Sequence, residues 1–389
     1  ERASWLGLAR TRLARLPARS LGGGMAGAED GADGTAADVQ RELHVQFFLR
    51  FLQLVPAPYA SLDTNRLMIV YMACSALDTL GALDAIPDRQ EIVDWVYNNQ
   101  VLTGPLNGDG AGGFVGGGFL GPMKSAEEAT RYHCAHVSMT YCALLVLSIL
   151  GDDFSRVDRD AVMRGIRAIQ QDDGSFQAVS LGTESDMRFV FSAVATCFML
   201  QDWRGIDVDK TVAFILRSRS FDGGFGILPD QEAHAGAIYC ASAALGMLGH
   251  LDKVMGDCLV DFLVARQVGG FNGRINKAPD TCYTFWVGGS MQVLGVHDQI
   301  DVESARNFIL TCQSAIGGFS KVPGKIPEVY PDVLHAHYSV LGLSLMREPG
   351  FQPIVAALGM TRRSFLAAPF AQQPGGAKVS TGAPFELPE

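Results

Sequence analysis

DVDKTVAFILRSRSFDGGFGILPDQEAHAGAIYCASAALGMLG, residues 207–249, holds one complete structural unit. Val208, Val212, Ile215 and Leu216 fall on one broad face at helical spacing, which predicts an amphipathic helix over 207–220. Asp207 and Asp209 lie in its first turn, where carboxylates favour the helix dipole. Phe221-Asp222-Gly223-Gly224-Phe225 then breaks the helix. Residues 234–249 are apolar nearly all round, so a second helix is expected to be covered on both sides. The same order, amphipathic then buried, recurs outward in both directions. Residues 158–171 precede 186–201, 254–267 precede 280–295, and 302–314 precede 333–346.

The glycine-phenylalanine turn recurs too, as Gly112-Gly113-Phe114, Gly174-Ser175-Phe176, Gly223-Gly224-Phe225, Gly269-Gly270-Phe271 and Gly317-Gly318-Phe319. The phenylalanines are 62, 49, 46 and 48 residues apart, the spacing of a repeat architecture built from one copied unit. Each turn permits a positive φ at glycine and buries an aromatic anchor between repeats. Helix pairs of this kind either stack as an open solenoid or close into a ring. An open solenoid would leave the apolar inner helices too wet. The expected fold is therefore all-α, an α/α toroid with inner helices around a central cavity.

The 389 residues are 48% hydrophobic, enough for a large core. No apolar run reaches the ~18–20 residues that span a bilayer, so the chain is not expected to be membrane-spanning. A formal charge of −10 argues against nucleic-acid binding. The eight cysteines show no disulfide framework, and Cys74, Cys142, Cys197 and Cys240 sit inside helical patterns, which favours a reducing, cytoplasmic setting. Residues 1–24 carry five arginines against one acid, which fits a transit peptide or, as the favoured reading, a non-native leader before Met25. The expected organisation is a disordered or non-native leader at 1–38, a toroid domain at 39–366 and a disordered tail at 367–389.

Asp280 and Cys282 begin one inner helix, and His335 lies near the start of the next. Carboxylate, thiolate and imidazole suit zinc, and three protein ligands leave a fourth position open for catalysis. An Asp, a Cys and a His scattered in a long chain are more often unrelated; matching positions in adjacent repeats favour the site. His234, Arg274, Lys277 and Tyr283 cluster at the same helix ends and suggest an anionic ligand such as a diphosphate. Taken alone, Arg274 and Lys277 are a solvated loop face. Phe189, Phe191, Tyr239, Phe285 and Trp286 would line a cavity for a long hydrocarbon, although aromatics at helical spacing are more often plain core.

From about Glu42 to Glu348 the chain resembles the β subunits of the protein prenyltransferases, most nearly those of protein geranylgeranyltransferase type I. The stretches that carry the resemblance are HVQFFLRFLQLVPAPYASLDTNRL, HVSMTYCALLVLSILGDDFSRV, DMRFVFSA, EAHAGAIYC, NGRINKAPDTCYTFWVG and PDVLHAHYSVLGLSLM. It implies zinc on Asp280, Cys282 and His335, and diphosphate on His234, Arg274, Lys277 and Tyr283. It implies that Arg188 lies near the C-terminal end of a peptide substrate, with His136, Ser138 and Phe189 in the pocket for its last residue. Ser138 stands where the family has alanine. Lys321 stands where a farnesyltransferase carries a magnesium-binding aspartate, which implies that magnesium is not required. Leu334 also matches the type I enzymes. Met68 matches neither the tryptophan of the farnesyl enzyme nor the threonine of the type I enzyme.

The implied activity is transfer of geranylgeranyl from its diphosphate to the cysteine thiol of C-terminal CaaX motifs, such as those of small GTPases, with X preferably leucine. The implied partner is a helical α subunit, the two forming a heterodimer. A farnesyltransferase β subunit shares fold and chemistry, and Lys321 is the feature against it. A Rab-type β subunit usually carries the same aspartate. A terpene cyclase would want an acidic DxDD-type motif, which the sequence lacks. A non-catalytic helical scaffold would have no use for an open metal site.

Overall fold

The computed structural model describes residues 38–101, 110–118 and 134–372; all but the last residue of the expected leader at 1–38, and residues 373–389 of the expected tail, lie outside the described residues. Among the described residues, twelve helices form six pairs in chain order. They are α1 (Arg41–Gln53) with α2 (Arg66–Thr79), α3 (Arg89–Asn98) with α4 (Val137–Leu150), and α5 (Arg159–Ile169) with α6 (Met187–Leu200). Then come α7 (Val208–Arg217) with α8 (Ala235–Leu248), α9 (Asp257–Val264) with α10 (Tyr283–Val293), and α11 (Val302–Thr311) with α12 (Val333–Leu345). The second member of each pair is the inner one. In α4 only Ser138 and Leu150 escape full burial. In α5, by contrast, Ala161, Val162, Met163, Ile166 and Ile169 are buried while Arg164 and Arg167 reach solvent.

The inner helices contact one another in sequence, α2 to α4, α6, α8, α10 and α12, and α12 returns to α2. The ring is closed, as the alternation of half-buried and fully buried helices predicts. The five turn phenylalanines are at most 1% exposed, and the first glycine of the turn has positive φ at Gly174, Gly223, Gly269 and Gly317. A Cβ on Gly317 would lie 2.1 Å from the Leu43 carbonyl oxygen, so this turn of the last pair seats directly on α1 of the first.

A second repeated contact joins neighbouring pairs. The carbonyl two residues after each turn phenylalanine accepts a backbone N–H at the start of the preceding inner helix. Gly116 accepts from Leu67 at 2.8 Å, and Ala178 from Val137, Ile227 from Met187, Gly273 from Ala235 and Lys321 from Thr281, each at 3.0 Å. These bonds satisfy donors that a helix N-terminus cannot satisfy itself. The first pair has no such turn, and a 3-10 helix at Ala57–Asn65 takes its place. There Tyr59 donates to the Pro331 carbonyl across the seam at 3.3 Å.

Two short strand pairs lie in the turns, β1 (Gln100–Val101) with β2 (Gly113–Phe114), and β3 (Gln267–Val268) with β4 (Gly270–Phe271). A third, β5 (Ile354–Val355) with β6 (Met360–Thr361), has a different role. Its tip, Ala356 to Gly359, is buried, and its carbonyls accept from the ring's tyrosines: Tyr239 to Ala356 at 2.8 Å, Tyr141 to Leu358 at 2.8 Å and Tyr71 to Gly359 at 3.1 Å. This hairpin plugs the ring. The buried Asp78 carboxylate fixes it by accepting from Thr361, Ser364 and Arg363.

The expected domain end at 366 is too early. Helices α13 (Arg362–Ala367) and α14 (Pro369–Gln372) follow the plug, and buried Phe370 packs on Phe198 of α6 and on Phe365. Its proline and polar neighbours obscured one apolar anchor.

Candidate functional site

Five of the six inner helices begin on side chains that accept their own first N–H groups; α2, at Asn65, does not. His136 Nδ1 accepts from Ser138 at 3.1 Å, Asp186 Oδ1 from Arg188 at 2.9 Å and His234 Nδ1 from Gly236 at 3.0 Å. Asp280 Oδ1 accepts from Cys282 at 3.0 Å, and Asp332 Oδ1 from His335 at 2.9 Å. Capping residues are thus also the site residues, which explains their spacing near the repeat length.

Asp280, Cys282 and His335 offer one ligand atom each, all within 4.8 Å of one another. His335 Nε2 is 3.3 Å from Asp280 Oδ1, and Lys321 Nζ is 3.6 Å from Asp280 Oδ2. Lys321 arrives there because its carbonyl is the one bonded to Thr281 N–H. Burial pushes the Asp280 carboxyl up, but hydrogen bonds from His335 and Cys282 outweigh it and hold the carboxyl below its usual range. Burial, then the adjacent Asp280 charge, pushes the Cys282 thiol far above its ordinary value. A thiolate and a carboxylate buried side by side call for a cation, and this donor set fits zinc with an open position.

Asp332 was not singled out in the sequence. Its Oδ2 lies 2.6 Å from His335 Nδ1, so it accepts the Nδ1 proton and leaves the Nε2 lone pair for a metal. Burial lowers the His335 pKa, but the two aspartates outweigh it and raise it to about 9. The legible signal was a capping aspartate three residues before a histidine.

His234 and Tyr283 meet across adjacent helices, Nε2 to Oη 3.0 Å. Because His234 Nδ1 accepts a backbone N–H, Nε2 carries the proton and donates to Tyr283. The tyrosine's own O–H is then free for a ligand. Burial, helped by the Arg274 charge, lowers the His234 pKa and keeps the ring neutral. Arg274 sits 3.4 Å from Glu232 and is 42% exposed. Lys277 is exposed with no ion-pair partner among the described residues.

On the other side of the ring, Arg188 forms a bidentate pair with buried Asp186, Nε–Oδ1 3.0 Å and Nη2–Oδ2 2.6 Å. Its guanidinium lies 5.1 Å over Phe189, and Phe189 meets His136 edge-on at 5.9 Å. The Ser138 hydroxyl is turned aside to Ser192 at 3.1 Å, which ties α4 to α6. Trp286 packs 4.3 Å from Tyr338 and 5.1 Å from Tyr239. Met68 and Leu334 lie half-buried on α2 and α12.

An aromatic belt runs the full circle, one or two rings from each inner helix. Tyr71, Tyr141, Phe191, Tyr239, Phe285 and Tyr338 follow one another at ring separations of 6.3, 5.2, 5.5, 5.0 and 5.2 Å. His337 closes the circle between Tyr338 and Tyr71, at 4.8 and 5.3 Å. The sequence reading named Phe191, Tyr239 and Phe285; Tyr71, Tyr141 and Tyr338 were hidden in helices apolar all round. The Asp280–Cys282–His335 cluster and the His234–Tyr283 pair meet at α10, where Cys282 and Tyr283 are adjacent, and the belt passes through the same helix at Phe285. A separate cleft of about 830 Å³ opens at the C-terminal ends of α10 and α12, lined by Gln292, His297 and Arg347 among others, away from these residues.

Closed ring, plug and three-donor cluster define an α/α toroid with a candidate metal centre at the start of an inner helix. The prenyltransferase alpha-alpha toroid domain model matches residues 39–360, and the chain belongs to that family. It is 36% identical over 352 residues to the geranylgeranyl transferase type-1 subunit beta of Arabidopsis thaliana, covering 86% of this chain and 91% of that one. The protein of the same name from Dictyostelium discoideum is 37% identical over 84% of this chain and 96% of its own length. The protein farnesyltransferase subunit beta of Schizosaccharomyces pombe is 30% identical over 80% of this chain and 79% of its own. Among solved structures, Candida albicans protein geranylgeranyltransferase-I complexed with GGPP matches with a TM-score of 0.77 at 24% identity, covering 87% of this chain and all of that chain, which shows the shared fold.

Proposed function

We propose that this chain is the catalytic β subunit of a zinc-dependent protein geranylgeranyltransferase type I, working in the cytoplasm as a heterodimer with an α subunit. It transfers geranylgeranyl from geranylgeranyl diphosphate to the cysteine of CaaX-ending proteins such as small GTPases. The observation that carries this reading is the Asp280–Cys282–His335 cluster adjoining the His234–Tyr283 pair and Lys321, in a chain similar over most of its length to type-1 β subunits. The eight cysteines are all free, as a reducing compartment allows.

Asp280, Cys282 and His335 would hold the zinc, with Asp332 fixing the His335 ring. When bound, zinc supplies the positive charge that keeps an incoming cysteine in its thiolate, nucleophilic form. Tyr283 donates its hydroxyl proton to the diphosphate, while Arg274 and Lys277 neutralise it. Lys321 adds an ammonium where charge grows on the leaving group, which lowers the barrier rather than merely tightening binding. The aromatic belt takes the hydrocarbon and excludes water. Arg188, held by Asp186, with His136, Ser138 and Phe189, receives the end of the peptide. Met68 and Leu334 bear on lipid and peptide choice.

The test is co-expression with an α subunit, then transfer assays with geranylgeranyl and farnesyl diphosphates, peptides ending in leucine or methionine, and magnesium present or absent. Preference for the twenty-carbon donor and leucine without magnesium is expected. Preference for the farnesyl donor, or no transfer until magnesium is added, overturns the assignment. Conversely, Lys321→Asp should make the rate magnesium-dependent, and Met68→Trp should favour the shorter lipid.

A further inference from the structure

Arg266, just past the end of α9, is a buried cation with no ion pair among the described residues. It is 7% exposed, and among the described residues no carboxylate lies within ion-pairing distance of it. Its guanidinium stacks 4.6 Å over Phe262, its Nε donates to the Phe262 carbonyl at 3.2 Å, and its Nη1 donates to Asn272 Oδ1 at 3.3 Å. Burial lowers its pKa, and the more distant Asp222 and Glu232 charges offset part of that. Burying a charge that only distant carboxylates offset is costly.

What the guanidinium holds is the turn that carries the head-group cations. Asn272 is 6% exposed and uses both ends of its amide. Oδ1 takes Arg266, and Nδ2 donates to the Lys277 carbonyl at 3.0 Å, drawing the loop 272–277 closed. Its backbone N–H also returns to the Arg266 carbonyl at 2.9 Å. Gly273 next door accepts from Ala235 and has no room for a side chain, since a Cβ there would lie 2.1 Å from the Tyr283 ring. Ile275, Asn276, Lys277 and Ala278 are exposed, so packing does not shape the loop's tip. Asn276 sits at φ 61°, a left-handed turn that asparagine tolerates.

We propose that Arg266, acting through Asn272, is a positioning residue that sets the loop 272–277 so that Arg274 and Lys277 converge on the lipid diphosphate. This rests on the head-group reading above. Arg266 and Asn272 do not touch the ligand; they fix the backbone from which the two cations reach it. Loss of either lets the loop relax into solvent, and the cations must then be reordered when ligand binds.

The test uses the chain co-expressed with an α subunit and titrates geranylgeranyl diphosphate. Asn272→Ala is expected to weaken binding roughly tenfold, the worth of about one buried bond, with zinc content and peptide KM unchanged. The decisive step is a cycle: in an Arg274→Ala/Lys277→Ala background, Asn272→Ala should cost nothing further. An equal loss in that background overturns the proposal, because Asn272 would then act by general stability. Should Asn272→Ala fail to fold, Arg266→Met in the same cycle decides, and Arg266→Lys, which reaches one of the two acceptors, should recover part of the loss. Wild-type protein that binds no lipid diphosphate overturns the functional reading instead. Wild-type binding that both single variants match overturns only the positioning role.

Discussion

Outer and inner helices start in different ways. Four outer helices share one device, an aspartate accepting from the N–H three residues on: Asp88 from Glu91, Asp158 from Ala161, Asp207 from Lys210 and Asp301 from Ser304, at 2.9–3.1 Å. Glutamine side chains from the preceding turn grip the caps. Gln170 binds both backbone groups of Asp207, Gln267 both of Asp301, and Gln100 the N–H of Asp158. Among the inner helices, α2 starts at Asn65 without a side-chain cap, His136, Asp186, His234 and Asp280 accept from the N–H two residues on, and Asp332 alone uses the outer spacing, accepting from His335. Where the unit needs only to fold, its chemistry repeats. Where the ring does chemistry, the same position holds histidine in two copies and aspartate in three, and each faces a different set of partners.

The largest break should come at one inner start. Cys282→Ala removes a metal donor but little packing, so the helical circular dichroism should persist while bound zinc falls from about one per chain to none and transfer is lost. Stoichiometric zinc retained in that variant would sink the metal assignment. One step outward the effect should shrink. Asp332→Ala leaves all three donors but frees the His335 ring, and a loss of roughly 10–100-fold in zinc affinity is expected of such a partner. Competition with a chelator of known affinity measures it, and an unchanged affinity would show that α12 alone orients the ring.

The unequal repetition decides what was legible in the sequence. Glycine turns and the alternation of amphipathic and all-apolar helices come from backbone geometry and burial, which act locally. They gave the ring from the sequence, and Asp280, Cys282 and His335 stood at matching starts. Three things stayed hidden. The first pair has no glycine turn, so the seam lay outside the pattern. The plug joins Gly359 to Tyr71 across most of the chain, and no period links them. Tyr71, Tyr141 and Tyr338 of the belt sit in helices with no polar face, where spacing cannot tell lining from core. The resemblance, rather than spacing, supplied the roles of Arg188 and Lys321.

The seam is an irregular junction of the outer ring, and acid should weaken it. Here α1 starts at Gln40 without a side-chain cap, and Gln313 binds Gln40 N–H at 2.8 Å and His44 Nε2 at 2.9 Å. His44 Nδ1 accepts from Gly318 at 2.9 Å, and the ring stacks 4.3 Å from Phe319. Burial lowers the His44 pKa from 6.5 to about 4 against the pull of Gln313. The unfolded chain therefore takes up a proton more readily than the folded one between those values. His44's contribution is complete above about pH 6.5 and is lost as pH falls toward 4. By linkage it should cost ~2 kcal/mol at pH 5 relative to pH 7.5. Denaturation of wild type and His44→Gln at both pH values isolates it. An equal acid loss in both would place the sensitivity elsewhere, at buried His337 and His297, whose pKa values burial lowers to about 3 and 4.

The smallest effect should come from a regular outer start. Asp207→Ala removes one accepted N–H, from Lys210, and leaves that donor to water, because Asp207 lies exposed. Loss of such a cap costs ~1 kcal/mol. Gln170 still holds the Asp207 backbone at both N–H and C=O, so the junction itself should survive. Transfer efficiency and zinc content should be unchanged, since α7 carries no site residue. The sharper form of the test replaces Gln170 as well. Asp207→Ala and Gln170→Ala act on one helix start, so their losses should fall short of additivity if cap and grip both serve to hold that start. Full additivity, or a loss of transfer in Asp207→Ala alone, would mean that the outer helices do more for the site than carry it.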